Sequence, residues 1–329
     1  MQKRVKGLLV AGGVLSAVGI GLFAVGAGMG GIAYVGAADL NKIDGNAKKQ
    51  ESIVMEKTKI EAFGQIKADL SDIDLKILPS EDQNYYMSYE IYRPGNDEPL
   101  EYRVENGTMK LSEHSGNGKL FQIDIGFISY LLGKREILDR DSEVVLYVPK
   151  NTVFEDSEIK IGDGDLEMEG FSGKNTELTL SYGDMKLREC MFENGVIASA
   201  DGDMEASGLS CKGTQLQFQY GDLSLDEVSL EDCTVKQSDG DMEADRLKVA
   251  GNLELKNSYG DIELQLSGEC RETLSMSLKT SYGEINVSED LGKGGRLVSQ
   301  DDKASYEKTA EAAEGMLKAE LSDGDITLK

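Results

Sequence analysis

A seven-residue pattern with glycine at its third position occurs eight times in this chain, from residue 162 onward. It reads SYGDMKL at 181–187 and SYGDIEL at 258–264, and the other copies vary around the same glycine. The intervals between successive glycines are 19, 19, 19, 19, 20, 23 and 41 residues, and the glycines are Gly164, Gly183, Gly202, Gly221, Gly240, Gly260, Gly283 and Gly324. A fixed period near 20 residues is typical of a solenoid, in which each repeat packs on its neighbours.

Within each repeat, apolar residues alternate with polar ones on both sides of the glycine. Leu178 and Leu180 precede one glycine, and Met185 and Leu187 follow it. Such alternation indicates strands with one buried face. A third, shorter side is expected to begin at Phe171, Leu209, Val228 and Leu247. We therefore predict an all-β, single-chain β-solenoid (β-helix) with rungs of about 19 residues and two or three strands per turn, in which each glycine forms a tight corner.

An acidic residue follows every one of these glycines. In stacked rungs these carboxylates lie only about 5 Å apart, where like charges repel by about 1 kcal/mol even in water. Either turn amides donate hydrogen bonds to the carboxylates, or a cation such as Ca²⁺ binds between them. The structural role of a turn is the favoured interpretation. The calcium alternative has as its candidate ligands Asp163, Asp165, Asp184, Asp201, Asp203, Asp222, Asp239, Asp241 and Asp261.

The residue before each glycine is either aspartate or tyrosine. In chain order these residues are Asp163, Tyr182, Asp201, Tyr220, Asp239, Tyr259, Tyr282 and Asp323. A tyrosine rung between two aspartate rungs would dilute the repulsion between their carboxylates. The alternation in chain order fails only at the end of the series.

The N-terminus is basic, with Lys3, Arg4 and Lys6, and no further charged residue occurs before Asp39. The largely apolar stretch between is longer than the roughly 20 residues that span a bilayer. Because basic residues stay cytoplasmic, we predict a cytoplasmic tail (1–7), a single transmembrane helix (8–36) and an extracellular remainder at the cell membrane. A signal peptide cleaved near 35–39 is the alternative, but its apolar region would be shorter. A GxxxG pair at Gly26 and Gly30 would allow self-association.

The remainder divides into three predicted regions. Residues 37–58 are a polar linker, 59–150 form a β cap that covers an open edge of the coil, and 151–329 form the solenoid repeats. Residues 301–320 are either an excursion from the coil or a degenerate rung. The last strand of the pattern ends beside Lys329, so we expect nothing in this chain to cover the final edge.

Charge and cysteine content limit the classes of function. The formal net charge is −25, so the phosphate backbone of nucleic acids would repel this chain. Four cysteines, Cys190, Cys211, Cys233 and Cys270, show no CxxC spacing. Zinc and redox motifs are therefore not indicated. The cysteines either pair outside the membrane or are small buried hydrophobes, and the second interpretation is favoured.

The basic start and apolar segment, the strand block that closes with LYVPK (146–150), and the SYGDIEL and SDGDITL rungs together resemble a known family. They are similar to bacterial putative-adhesin-like β-strand repeat proteins, a membrane-anchored domain-of-unknown-function family common in Gram-positive bacteria. The resemblance covers roughly 60–329. It implies a single-chain β-solenoid, and it supplies no catalytic residues. Some members are encoded beside envelope-stress or PadR-type regulators.

Three functions are consistent with this sequence. The first is a non-catalytic binding, adhesin-like or scaffold module at the cell envelope, which needs no cofactor and whose partner is an envelope protein, a cell-wall polymer or its own neighbours. The second is an accessory protein of an envelope-stress sensing system. The third is a Ca²⁺-dependent β-helix enzyme active on polysaccharides. The enzyme is disfavoured because the acids recur in every rung, because Trp is absent, and because the sole histidine, His114, has no partner group in the sequence nearby.

Overall fold

The computed structural model describes residues 52–92, 100–113, 141–268 and 270–329. These residues form 28 strands and one short helix, α1 (Glu289–Gly292). The strands are β1 (Ser52–Ile60), β2 (Gln65–Leu70), β3 (Ile73–Pro79), β4 (Tyr85–Tyr92), β5 (Leu100–Glu105), β6 (Thr108–Glu113), β7 (Ser142–Val148), β8 (Val153–Glu155), β9 (Glu158–Asp163), β10 (Leu166–Glu169), β11 (Ser172–Lys174), β12 (Glu177–Tyr182), β13 (Met185–Arg188), β14 (Met191–Glu193), β15 (Val196–Asp201), β16 (Met204–Ser207), β17 (Ser210–Lys212), β18 (Gln215–Tyr220), β19 (Leu223–Asp226), β20 (Ser229–Asp239), β21 (Met242–Tyr259), β22 (Ile262–Leu266), β23 (Leu274–Tyr282), β24 (Ile285–Val287), β25 (Arg296–Gln300), β26 (Lys303–Lys308), β27 (Gly315–Asp323) and β28 (Ile326–Leu328).

The repeats wind as a parallel coil whose equivalent positions stack in register. Strand β12 pairs with β9 on one side and with β15 on the other, so that Leu178 lies between Ile159 and Ile197. Strand β13 likewise lies between β10 and β16. Each inward side chain therefore packs on the equivalent side chain of the next rung. The predicted all-β coil with 19-residue rungs is confirmed.

Each complete rung has three sides. The short strands β8, β11, β14 and β17 stack in parallel and form the third side. The two corners that flank this side also need residues with positive φ. One corner column has φ of 49° to 62° and the other 52° to 66°, and their members are Asp156, Asn175, Asn194, Gly213, Asp232 and Gly251, then Gly170, Glu189, Gly208, Glu227 and Arg246.

The N-terminal strands belong to the coil itself. Strands β2 and β3 form a rung beneath β9 and β10, and β6 and β7 form a further rung beneath β2 and β3. The predicted boundary at residue 150 therefore does not separate a cap from the coil. The predicted linker 37–58 also differs from the structure, because β1 begins at Ser52 and pairs with β4.

Antiparallel strands cover the N-terminal edge of the coil, which is the role that the sequence predicts for this region. Strand β4 pairs with β7, and β5 pairs with β6. The outermost strand, β1, contains Glu56, Lys57 and Lys59. Charged side chains on an edge strand discourage pairing with other chains.

The C-terminal strands do not follow chain order. Strands β27 and β28 lie between the rung β21–β22 and the rung β23–β24. The antiparallel strands β26 and β25 then extend the sheet beyond β23. The prediction of an uncovered final edge after Lys329 is therefore wrong. The last segment of the chain is internal, and residues 296–308 form the antiparallel hairpin that covers β23.

The core is a column of stacked aliphatic side chains with a short aromatic series that runs through three successive rungs. Phe154 and Phe171 stack with ring centroids 5.0 Å apart, and Phe192 follows at 5.7 Å from Phe171. The four cysteines are buried and unpaired, which confirms that they act as small hydrophobes. Buried thiols contribute apolar surface and are shielded from reagents.

Several predictions fall outside the described residues. These are the cytoplasmic tail, the transmembrane helix 8–36, the GxxxG pair, most of the linker, and His114. Within the described ranges, no helix has the length and apolar character that a bilayer crossing requires.

Candidate functional site

The corner glycines stack so closely that a side chain would not fit at their positions. Seven of the eight predicted corner glycines have φ between 109° and 154°, and Gly164 is the exception. A Cβ atom on Gly221 would lie 2.6 Å from the carbonyl carbon of Gly202 in the rung below. Real Cβ atoms do not approach a backbone carbonyl this closely. Glycine is thus required both by the backbone conformation and by the distance between rungs.

The carboxylates that follow the glycines form a continuous hydrogen-bonded series, which we term the corner ladder. The Oδ1 atom of each aspartate accepts a hydrogen bond from the backbone N–H of the acidic residue one rung above. The N···O distances are 2.7 to 3.0 Å. In spatial order, the ladder consists of Asp74, Asp165, Asp184, Asp203, Asp222, Asp241, Asp261, Asp325 and Glu284.

This arrangement bears on the two interpretations of the acidic residues. Hydrogen bonds from turn amides to the carboxylates are observed, but each amide belongs to the neighbouring rung rather than to the same turn. Such charge-assisted bonds are stronger than neutral ones and offset part of the repulsion along the ladder. In the described part of the chain, no group of three or more His, Cys, Asp or Glu side chains is arranged to hold a metal ion. Calcium binding by the nine candidate aspartates stays a prediction.

Polar side chains inside the coil donate hydrogen bonds to the carbonyl groups of corner glycines. Gln237 donates a hydrogen bond of 2.8 Å to the carbonyl of Gly221, and Asn257 donates one of 2.9 Å to Gly240. Both side chains are buried at a register position that is apolar in some rungs, as at Leu180 and Phe218, and polar in others, as at Ser199. The side-chain N–H groups of both residues thus fix the corner. The Oε1 atom of Gln237 and the Oδ1 atom of Asn257 are buried and have no hydrogen-bond partner in the described part of the chain, which is costly.

The residues before the glycines form a second column, which we term the Tyr–Asp column. Its strand pairings place Tyr182 between Asp163 and Asp201, and Tyr220 between Asp201 and Asp239. The full column, in spatial order, is Asp163, Tyr182, Asp201, Tyr220, Asp239, Tyr259, Asp323 and Tyr282. The alternation that fails in chain order is therefore complete in space, because β27 lies between β21 and β23.

The tyrosines of this column are strongly exposed. Their exposed fractions are 59%, 56%, 58% and 61% for Tyr182, Tyr220, Tyr259 and Tyr282. Four large aromatic side chains in one line, each with most of its surface in water, are a feature that packing does not explain. The Tyr–Asp column is the candidate functional site.

The site is electrostatically negative over its whole length. In the described residues, no ion pair involves a carboxylate of the Tyr–Asp column or of the corner ladder. At the first position of the ladder, burial raises the pKa of the Asp74 carboxyl, a hydrogen bond from the Asp165 amide opposes this, and the Asp165 charge adds to it.

A second surface lies on the outer face of strands β13, β16, β19 and β21. A shallow groove there is lined by Lys186, Arg188, Glu205, Ser224 and Arg246, among others. Both arginines already pair with carboxylates, Arg188 with Glu167 and Arg246 with Asp226. The charges of this groove are therefore mixed in sign and largely paired with one another, so the groove does not favour a ligand of one charge.

The sequence analysis missed the first members of the ladder and the other corner columns. Asp74 starts the ladder, and the Glu113 carboxylate accepts hydrogen bonds from the amides of Ser71 and Asp72, at 2.6 and 2.8 Å. The tripeptide Ile73–Leu75 reads IDL and matches the Asp-plus-apolar part of the repeat without its glycine. A 19-residue spacing of Gly, Asn and Asp would have revealed one of the two further corners.

The fold and the site define a single-chain parallel β-solenoid that displays one exposed column of aromatic and acidic side chains. The Toastrack DUF4097 family model matches residues 63–329. The chain therefore belongs to the Toastrack DUF4097 family, a domain of unknown function, as the resemblance predicted. No curated protein matches the chain.

Solved structures that match the chain come from several bacteria. A putative cell adhesion protein from Clostridium sporogenes is 11% identical, with 85% of this chain and 99% of that chain covered and a TM-score of 0.29. A putative lipid binding protein from Parabacteroides distasonis is 12% identical, with coverage of 85% and 98% and a TM-score of 0.40. A putative adhesin from Bacteroides fragilis is 11% identical, with coverage of 87% and 100% and a TM-score of 0.35.

Proposed function

We propose that this protein is a non-catalytic binding or scaffold module of the adhesin-like kind, held at the cell envelope with its coil outside the membrane. The observation that carries the proposal is the Tyr–Asp column. Tyr220 and Tyr259 are more than half exposed and lie in a line with Asp239 between them. A stacked coil presents such side chains at fixed intervals, which suits a partner that is itself extended or repetitive.

The distribution of the acidic groups supports binding rather than catalysis. A catalytic site gathers a nucleophile, a base and an orienting group around one reacting atom. In the corner ladder the carboxylates are instead spread one per rung along the coil, and in the Tyr–Asp column they lie on every second rung. Carboxylates spaced along the coil can contact an extended partner at many points. They cannot all reach one scissile bond, as the groups of a catalytic site must.

Placement at the envelope rests on the basic N-terminus and on the apolar stretch 8–36 that follows it. The test is fractionation of cells that express the full chain with a C-terminal tag. We expect the protein in the membrane fraction after alkaline carbonate washing, and we expect added protease to remove the tag from intact cells. Release by carbonate, or a tag that only permeabilised cells lose, would contradict the proposed topology.

The binding function is tested with the full chain in detergent and with purified envelope material. We expect the protein to co-sediment with cell-wall sacculi or to crosslink to an envelope protein. The double substitution Tyr220→Ala/Tyr259→Ala should reduce this binding, because it removes the two central rings of the column. Tyr102→Ala is the matched control, since Tyr102 is 38% exposed but lies on β5, away from the column. Equal binding by both variants would count against the column as the binding surface.

A further inference from the structure

The Tyr–Asp column combines two features that together recognise one chemical class of ligand. Tyr220 has Asp201 and Asp239 as its register neighbours, and Asp222 lies two residues along the same corner. Rungs are about 4.8 Å apart, so one aspartate lies in the rung above Tyr220, one lies in the rung below it, and a third follows it in its own rung. The same surroundings recur at Tyr182 and Tyr259.

We propose that the Tyr–Asp column binds an extended cationic peptide segment in polyproline II conformation, with a lysine or arginine at every third residue. The proposal rests on the proposed binding function and specifies its ligand. Each cationic group would lie over one tyrosine ring. The ring attracts a cation through its quadrupole, and the surrounding carboxylates supply the opposite charge.

The spacing of the column selects the conformation of the peptide. Tyrosines occupy every second rung, so neighbouring rings are about 9.6 Å apart along the coil. In polyproline II, three residues advance the chain by about 9.3 Å. Residues that share one face of a β-strand recur after only about 6.8 Å. A cation at every third residue of a polyproline II segment therefore stays in step with four successive tyrosines, and a strand does not.

The strand order at the C-terminal end keeps the tyrosines two rungs apart, which supports the importance of this spacing. If the rungs stacked in chain order, Tyr259 and Tyr282 would be adjacent, with about 4.8 Å between them. The insertion of β27 places Asp323 between the two tyrosines. The alternation of ring and carboxylate is thereby continued to the last rung of the column.

Charge complementarity extends beyond the column itself. The corner ladder runs beside it, and no carboxylate of either series in the described residues takes part in an ion pair. The ladder carboxylates use Oδ1 for the neighbouring amide, which leaves their second oxygen for a ligand. A cationic peptide would also relieve the repulsion between these like charges.

The test uses the full chain in detergent and two fluorescent peptides with four lysines each. The first is (Lys-Pro-Pro)₄, with a cation at every third residue, and the second is (Lys-Pro-Pro-Pro)₄, with the same charge at every fourth residue. Fluorescence anisotropy measures the affinity of each peptide. We expect the first peptide to bind about tenfold more tightly than the second, because only its cations remain in register with the rings. Binding should weaken as the salt concentration rises.

Two double variants separate the column from the general negative charge of the protein. Tyr220→Ala/Tyr259→Ala should weaken binding of the first peptide about tenfold. Glu205→Gln/Glu243→Gln removes two negative charges from the exposed groove on the other sheet and should change the affinity less than twofold. All substituted residues are exposed, and circular dichroism checks that both variants keep the wild-type melting temperature.

Each outcome supports or overturns the proposal. Equal affinity for the two peptides, or equal weakening by the two double variants, would overturn it and indicate unspecific electrostatic binding. Absence of peptide binding together with tyrosine-dependent binding to envelope material would overturn the ligand class, for example in favour of an amino-bearing polysaccharide, and would leave the proposed function standing. Absence of both would overturn both.

Discussion

Tyr259 pairs in register with Asp323, a residue 64 positions later in the chain, and the next tyrosine of the series, Tyr282, pairs with the other side of Asp323. Two residues that are neighbours in the repeat pattern are thus separated in space by a rung from the end of the chain. The consequence is that the C-terminal segment is held from both sides. Its hydrogen bonds, such as that from the Asp325 amide to Asp261, join the body of the coil to its last rung.

The inserted rung predicts which engineered cysteines will form a disulfide. Register partners in neighbouring rungs are about 4.8 Å apart, within the Cα separation of about 4.4 to 6.8 Å that disulfides allow. The pair Tyr259→Cys/Asp323→Cys should therefore crosslink under mild oxidation. The pair Tyr259→Cys/Tyr282→Cys, two rungs apart at about 9.6 Å, should not.

The readout is peptide mass spectrometry of the oxidised protein without reduction. The two double variants share one substituted position, so each is the control for the other. A crosslink between positions 259 and 282, with none between 259 and 323, would show that the rungs stack in chain order and would contradict the insertion of β27.

The substitution Gly221→Ala is expected to destabilise the coil by at least about 2 kcal/mol. Gly221 has a φ of 109°, which is strained for any residue with a side chain, and its new Cβ would overlap the Gly202 carbonyl. Neither rung can move aside without breaking the hydrogen bonds of both neighbours. Denaturant unfolding followed by circular dichroism measures the change in the free energy of unfolding.

Gly64→Ala is the control for this prediction. No atom lies within 4 Å of the position that a Cβ on Gly64 would occupy, and Gly64 is not among the glycines with positive φ. We expect the free energy of unfolding of this variant to stay within about 0.5 kcal/mol of the wild type. If both alanine variants unfold at the same denaturant concentration, close stacking of the corner glycines is not what fixes the rung spacing.

The repeat made most of the coil predictable from the sequence. Particular residues show which features could be predicted and which could not. Leu178 and Leu180 identified a buried strand face, and Gly183 identified its corner, because strand alternation and positive φ are local properties. The position of Asp323 between Tyr259 and Tyr282 was not predictable in the same way. The position of Asp323 depends on which distant strand pairs with β21. No local sequence feature shows that β27, and not β23, is that partner.

The rung formed by β2 and β3 was missed for a different reason. Asp74 performs the same hydrogen bonding as the later ladder residues, but Ile73 stands where those rungs have glycine. This is the terminal part of the ladder, and the close approach of one corner glycine to another begins only at the next rungs. The motif therefore lacks its most recognisable residue in the rung of β2 and β3. The Tyr–Asp alternation was visible as a pattern, but its continuity depended on the strand order.

The substitution Asp74→Asn is expected to raise the melting temperature at pH 7. Burial is the main cause that raises the pKa of the Asp74 carboxyl in the folded protein, and the charges of Asp165, Asp141 and Glu143 add to it. A carboxyl with a raised folded-state pKa stabilises the fold when protonated, and that contribution is lost as the pH rises above its unfolded value of about 3.9 and through the folded pKa. Asparagine stays neutral and keeps the Oδ1 acceptor for the Asp165 amide.

Melting temperatures of both proteins across the range from about pH 3 to pH 8 test this prediction. The two proteins should converge at the acidic end, where Asp74 is protonated, and diverge toward neutral pH. Asp239→Asn, an exposed residue of the Tyr–Asp column, controls for the general effect of removing one negative charge. A gain for Asp74→Asn no larger than that of the control at pH 7 would contradict the role of burial.

The four cysteines should report unfolding of the coil through their reaction with thiol reagents. Burial raises the pKa of the Cys190 thiol to about 11 and also raises the pKa of Cys233. Since the thiolate is the reactive form, and all four side chains are buried, Ellman's reagent at pH 8 should label the native protein extremely slowly. All four thiols should react in denaturant, at the concentration where circular dichroism shows loss of the strands.

Ser224→Cys, on the exposed groove, is the control and should add one thiol that reacts at once in the native state. Rapid native labelling of a thiol in the wild-type protein would show that the rung around it opens well below the global transition, because a closed coil gives the reagent no path to these side chains.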